Sequence, residues 1–190
     1  MKFRCMIILA GMSILFLSGC ATLNKEQCLR GDWRGVGWMD GMNGEPAVRI
    51  EQHREACAEY GVRPNEKFYM DGRAEGLRQY CEPDNAFQTG LEGKPYKGVC
   101  PPDIHPLFLR YNNAAYEVYQ ARRQIEQLHD NITYKYNQME SRKTSKEDKI
   151  RLRRAINDDE RKLDDLRNDL RDRERWLDGL MAEARRNQRK

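Results

Sequence analysis

The residues of this 190-residue chain best suited to do chemistry are its six cysteines and three histidines. Cys28, Cys57, Cys81 and Cys100 stand 29, 24 and 19 residues apart. They form no C-x-x-C pair, and those intervals match no common zinc spacing, so no metal ligand is assigned. His53 precedes Cys57 by one helical turn, the spacing of a thiol–imidazole pair built for nucleophilic attack. That chemistry needs a thiolate, which a disulfide-bonded cysteine lacks. Asp40 and Asp71 recur in the tripeptide Met-Asp-Gly, with Glu75 close behind the second. Paired carboxylates can exchange protons, but along charged helices they are usually solvated or paired with neighbours such as Arg73 and Arg78. His105 lies among prolines and His129 beside a heptad seam, and both read as surface residues. No G-x-S-x-G, Walker loop or H-E-x-x-H occurs. No catalytic residue is assigned, and the chain reads as non-enzymatic.

The state of the cysteines depends on the compartment. Lys2 and Arg4 precede an apolar run from Cys5 to Leu17. That run is shorter than the ~20 residues a membrane-spanning helix needs and has the layout of a secretory signal. It ends in Leu17-Ser18-Gly19-Cys20, which resembles a bacterial lipobox. The resemblance implies cleavage after residue 19, diacylglycerol on the Cys20 sulfur and a further acyl (palmitate-like) chain on its amine. Two or more chains hold a protein on a membrane durably. Ala21, where an aspartate would favour inner-membrane retention, points to the periplasmic face of the outer membrane. No other cofactor is expected. With Cys5 removed and Cys20 lipidated, four cysteines remain in an oxidising compartment, and two disulfides are the default. Lys and Arg total 34 against 30 Asp and Glu, and removing residues 1–19 leaves a net charge of about +2. So small an excess, in a secreted chain, gives no reason to expect nucleic acid as a partner.

The elements that must position these residues fall into two groups, divided near Cys100-Pro101-Pro102. The organisation expected is a signal over 1–19, a lipidated tether over 20–27, a Cys- and Gly-rich helical head over 28–102 and a helical hairpin over 103–190. In the head, Asp32 is placed to cap one helix, while Pro46, Pro64 and Pro83 suit the opening of three more. Helix order favours pairing Cys28 with Cys57 and Cys81 with Cys100 among the three connectivities available. A weak repeat places an aromatic residue three positions before a glycine at Trp38/Gly41, Tyr69/Gly72 and Phe87/Gly90, with Gly44, Gly76 and Gly93 following. Glycine inside a helix costs ~1 kcal/mol against alanine, so its repetition needs a reason. One reading is a ligand or glycan groove formed by Trp38, Gly41, Tyr69, Asp71, Gly72, Gly76 and Tyr80. The other is close helix-on-helix packing, which the small size of the head favours.

Beyond Pro102, Tyr111, Val118, Ile125, Ile132 and Met139 recur every seven residues, with Ala114, Ala121 and Leu128 between them. The pattern resumes at Ile156, Leu163, Leu170 and Leu177, with Leu152, Leu166 and Leu180 as partners. Two heptad segments joined by a short polar loop predict an antiparallel coiled coil, its second arm capped at Thr144 or Ser145. Lys135, Asp159 and Arg173 fall at core positions, where polar residues weaken a seam and set its register. A seam so interrupted gains from a further helix, which makes the hairpin the expected site of a protein partner or of self-association. The basic end, Arg185 to Lys190, reads as a frayed helix terminus that complements the dipole. The fold class expected is all-α.

The head also resembles a family of uncharacterised Gram-negative envelope lipoproteins, the domain of unknown function 2799. The residues that carry the resemblance are Asp32-Trp33, Asp40-Gly41 with Gly44, His53 with Ala56-Cys57, Tyr69 with Gly72-Arg73, Gly76-Leu77, Tyr80-Cys81, Asn85 and Gly98 to Pro101. It covers roughly residues 28–101, implies an envelope lipoprotein and brings no activity with it. The expectation is a lipid-anchored interaction or scaffold protein, with the small-ligand groove as the alternative.

Overall fold

The computed structural model describes residues 22–189. The signal segment and the lipidation site Cys20 lie outside the described residues. Seven helices follow in order: α1 (Lys25–Arg30), α2 (Trp33–Met42), α3 (Arg49–Ala58), α4 (Glu66–Tyr80), α5 (Pro83–Leu91), α6 (His105–Glu140) and α7 (Lys146–Gln188). Among the described residues no helix is long and apolar enough to cross a membrane.

Local chemistry explains most of the helix starts. Asp32 accepts a hydrogen bond from the Gly35 amide and so starts α2, Asn65 does the same from Phe68 for α4, and Pro83 opens α5. Ser145, rather than Thr144, caps α7 by accepting from the Asp148 amide. Pro64 stands one residue before the α4 cap, and α3 begins three residues beyond Pro46. The tether expected over residues 20–27 is partly folded. Leu23 is buried, and Asn24 and Gln27 form a capping box that opens α1.

The disulfides join Cys28 to Cys57 and Cys81 to Cys100. The first ties α1 to α3 and the second ties the end of α4 to the segment that leads into α6. Two apolar clusters surround them. Leu23, Cys28, Trp33, Ile50, Cys57 and Tyr69 fill the first. The second begins at Leu77 and Tyr80 of α4, takes Ala86 and Phe87 of α5, and continues through Phe108, Tyr111, Ala115 and Val118 of α6 to Leu177 and Leu180 of α7. Phe87 stacks on Tyr111 and Tyr80 on Phe108, with ring centroids 4.6 and 5.1 Å apart. This core crosses residue 102, so the head–hairpin boundary drawn there marks a change in composition and not in packing. Asn112 fastens the junction. Its amide nitrogen donates to the Ala86 and Lys94 carbonyls and to Thr89 Oγ1, and its oxygen accepts from the Tyr96 amide. Completely buried, it has every partner such a group requires.

The arms of α6 and α7 run antiparallel. Arg110 pairs with Glu183, Arg122 with Glu174 and Lys135 with Asp159, so one sequence falls as the other rises. Each polar residue at a seam position finds a partner across the hairpin, and Arg173 also pairs within α7. Lys135 meets Asp159, and Arg173 reaches Glu117 at 2.8 Å and Asp169 at 2.7 Å. Val118 is the last α6 residue in the core shared with the head, and beyond Tyr119 the coil has a separate, thin cluster of Ile132, Ile156 and Leu163, flanked by Ile125, Leu128 and Met139. That unsupported part of α6 extends about 30 Å, at 1.5 Å per residue.

Candidate functional site

The glycine repeat closes helices together instead of opening a groove. A Cβ added at Gly37 would overlap the Tyr69 carbonyl, one at Gly41 the Arg73 carbonyl, one at Gly72 the Arg34 carbonyl and one at Gly76 the Trp38 carbonyl. The backbones of α2 and α4 therefore lie against each other through glycine on both sides, an approach closer than any side chain permits. Gly90 gives α6 the same access at Asn112. The groove expected from Trp38, Gly41, Tyr69, Asp71, Gly72, Gly76 and Tyr80 is thus corrected. Its glycine floor is filled by the facing helix. Tyr69 and Tyr80 are buried in the core, Trp38 is half-buried, and Asp71 is exposed and paired with Lys67. Glu75 pairs with Arg34, while Arg73 donates to the Glu45 carbonyl, so neither Arg73 nor Arg78 is the partner of these carboxylates.

What that packing positions is a chain of polar groups drawn from four segments. Asp40, on the last turns of α2, accepts at Oδ2 from the Tyr69 hydroxyl of α4 at 2.6 Å and from Nε2 of His53 on α3 at 2.8 Å. Nδ1 of His53 lies 2.8 Å from the hydroxyl of Thr22. His53 is buried, and its Cys57 neighbour is in a disulfide, so the thiol–imidazole pair does not exist. Burial works to raise the Asp40 carboxyl. The hydrogen bonds from His53 and Tyr69 outweigh it, helped by the charge of Arg49, and hold the group below its ordinary value of 3.8. The same burial and the same bond to Asp40 push the Tyr69 hydroxyl well above its ordinary range. An ionised Asp40 can only accept, so His53 donates to it from Nε2; a neutral imidazole then accepts at Nδ1 from the Thr22 hydroxyl.

A hydroxyl, an imidazole and a carboxylate in line are the parts of a nucleophile triad. Here one carboxylate oxygen serves both imidazole and phenol, so the charge that would support a proton on the imidazole is divided. The arrangement is suited to bracing. It ties the chain at Thr22 to α2, α3 and α4, directly beside the Cys28–Cys57 disulfide. A cavity of about 460 Å³ adjoins it, lined by Leu23, Val36, Trp38 and Met39 on its apolar side and by Arg49 and His53 on its polar side. A second, more polar depression of about 640 Å³ shares Asp40 and Arg49 and extends to Tyr80, Lys94 and Lys97. Burial pushes the Tyr80 hydroxyl up to about 12, and its ring stacks on Phe108 at the edge of this depression. Among the described residues, no three of His, Cys, Asp and Glu converge as a metal set.

Of the remaining histidines, His129 is exposed, but His105 is half-buried with Nδ1 3.0 Å from the Tyr96 hydroxyl, which itself accepts from the Cys100 amide. Sequence reasoning placed Asp40, His53 and Tyr69 in separate roles and did not bring them together. The available signal was their shared appearance among the residues of the family resemblance.

Residues 32–117 match a protein family described as "Protein of unknown function (DUF2799)". The matched segment starts at the α2 cap and runs past Asn112 into α6, so it takes in most of the head and the base of α6, but neither Leu23 and Cys28 nor the α7 side of the core. The chain is also similar to the uncharacterized protein YfiL of Escherichia coli (strain K12), at 26% identity over 95 residues, which is 48% of this chain and 74% of the relative. No solved structure matches.

Proposed function

We propose that this chain, whose residues 32–117 carry the signature of that family, is a non-enzymatic interaction protein of the bacterial envelope, anchored by lipid on Cys20 at the periplasmic face of the outer membrane. The observation that carries this reading is the unequal support of the hairpin. Its base is built into the head core, whereas the part beyond Tyr119 stands clear on a thin seam. The distal cluster is separate from the core of the head, and a coil thinned in this way gains from a further surface laid against it. The head serves as the fixed base, braced at its membrane-proximal end where Thr22 meets His53, two residues from Cys20.

Two experiments test the two halves of the reading. Metabolic labelling with a fatty-acid analogue is expected to mark the wild-type chain and not Cys20→Ser; label retained by the variant removes the anchor. For the hairpin, Ile156→Glu with Leu163→Glu is the informative pair. Both side chains are buried in the distal cluster, while Leu170 packs against the core shared with the head and would disturb both regions. The double variant is expected to keep both disulfides and lose in-cell cross-links to any partner. Cross-links that persist after the distal hairpin has unfolded would make it a spacer.

A further inference from the structure

One face of the distal hairpin departs from the rest of the surface. Along α6, Gln120, Gln124, Gln127, Asn131, Tyr134 and Gln138 follow one another at intervals of four, three, four, three and four residues, so they share a single face. All six are exposed and none carries charge, on a hairpin whose surface is otherwise dominated by Arg, Lys, Asp and Glu. The stripe extends about 27 Å, at 1.5 Å per residue. At its middle lies a cavity of about 460 Å³ between the arms, lined by Gln124, Gln127, Leu128 and Asn131 of α6 and by Lys162 and Leu166 of α7. Lys135 and Asp159 also reach this cavity and neutralise each other. Leu128 and Leu166 are only half-buried there.

We propose that this stripe is the contact between two copies of the chain, related by a two-fold axis near residue 129 with their α6 helices antiparallel. The chemistry selects a second copy. Each carboxamide both donates and accepts, so a row of amides is complementary to itself, whereas a stripe of one charge sign would repel its own image. The spacing also reads the same in both directions. Antiparallel α6 helices about residue 129 set Gln120 opposite Gln138, Gln124 opposite Tyr134 and Gln127 opposite Asn131. Tyr134, one of the most exposed aromatic rings on the chain, then lies over Gln124 at the cavity, with Leu128 and Leu166 beneath it. Desolvating amides and a phenol that find partners is far less costly than desolvating charges, which interface centres tend to exclude. The proposal deepens the reading of the hairpin as the interacting element and names the partner.

The test is a charge swap in the full chain, with mass measured by sedimentation equilibrium in density-matched detergent. Wild type is expected to sediment as a dimer. Gln127→Glu with Asn131→Glu places like charges opposite one another and is expected to be monomeric, as is Gln127→Lys with Asn131→Lys. An equimolar mixture of the two variants is expected to recover the dimer mass. The substituted side chains are exposed, so circular dichroism should show unchanged helicity in each variant. A monomeric wild type overturns the proposal, and so does a dimer that persists in the glutamate variant, since either places the contact elsewhere. A monomer that still loses its in-cell cross-links with Ile156→Glu and Leu163→Glu would remove the second copy while leaving the hairpin as the binding element for another partner.

Discussion

The α2–α4 contact and the α6–α7 hairpin are both pairs of packed helices, and they are held together in opposite ways. Between α2 and α4 the side chains have been removed. Gly37, Gly41, Gly72 and Gly76 let carbonyl groups of one helix occupy the space that side chains of the other would fill. Between the distal parts of α6 and α7 the helices stand apart on Ile132, Ile156 and Leu163 and are indexed by ion pairs. The first design tolerates no change of volume, because backbone cannot move aside as a side chain can. The second tolerates a good deal, because its few apolar layers have open solvent beside them. The stapled head is therefore the unyielding part of the molecule and the distal hairpin the adaptable one, which suits a base and an interacting arm.

The largest effect is expected where backbone meets backbone. Gly72→Val should destabilise the head by about 4 kcal/mol, at the upper end of overpacking costs, as read from urea denaturation. A loss below 1 kcal/mol would mean that α4 can shift from α2 and that the rigid half of the comparison is wrong. Next comes the brace. Asp40→Asn leaves the His53 and Tyr69 donors without an ionised acceptor and should cost about 2 kcal/mol at neutral pH. Because the Asp40 carboxyl is held below its ordinary 3.8, its contribution is complete above that value and disappears as pH falls through the lower folded value. Wild type should thus lose stability steeply below about pH 4, and Asp40→Asn less steeply. Equal acid profiles would take Asp40 out of the account.

The hairpin should respond more gently. Removing Lys135 alone or Asp159 alone leaves a partly buried charge without its partner, whereas Lys135→Met combined with Asp159→Leu should change stability by no more than about 1 kcal/mol. If the double variant is far less stable than either single one, the pair does more than set register. A small change of opposite sign is expected at Gly179 on α7, where an added Cβ meets nothing within 4 Å. Gly179→Ala should stabilise by about 1 kcal/mol, the opposite sign to the same substitution at Gly72. A destabilising Gly179→Ala would reveal a close contact on that face.

Much of this contrast was legible in the sequence, and the exceptions have physical reasons. Heptads at Val118, Ile132, Ile156 and Leu163 announced the hairpin because a seam repeats over many turns. Asp32 and Pro83 announced helix starts because capping is local. The glycine repeat was visible, yet a helix glycine marks close approach without saying what approaches, so the groove and the packed interface looked alike until α4 was seen lying on α2. The Asp40–His53–Tyr69 chain was not legible as a unit, since it is assembled across three helices by that same packing. Asn112 was also missed. One polar residue beside Tyr111 interrupts no heptad, and its four hydrogen bonds go to groups 16 to 26 residues away. The boundary near residue 102 followed composition, and composition does not record that Phe108 and Tyr111 complete the core of the head.

The claim that the distal hairpin is the interacting arm and the head its base is tested most directly by a photo-cross-linking amino acid placed in intact cells at two exposed aromatic positions, Tyr134 on the hairpin and Phe68 on the head. The account predicts a discrete cross-linked species from position 134 and none from position 68. Discrete cross-links from position 68, with none from position 134, would contradict it.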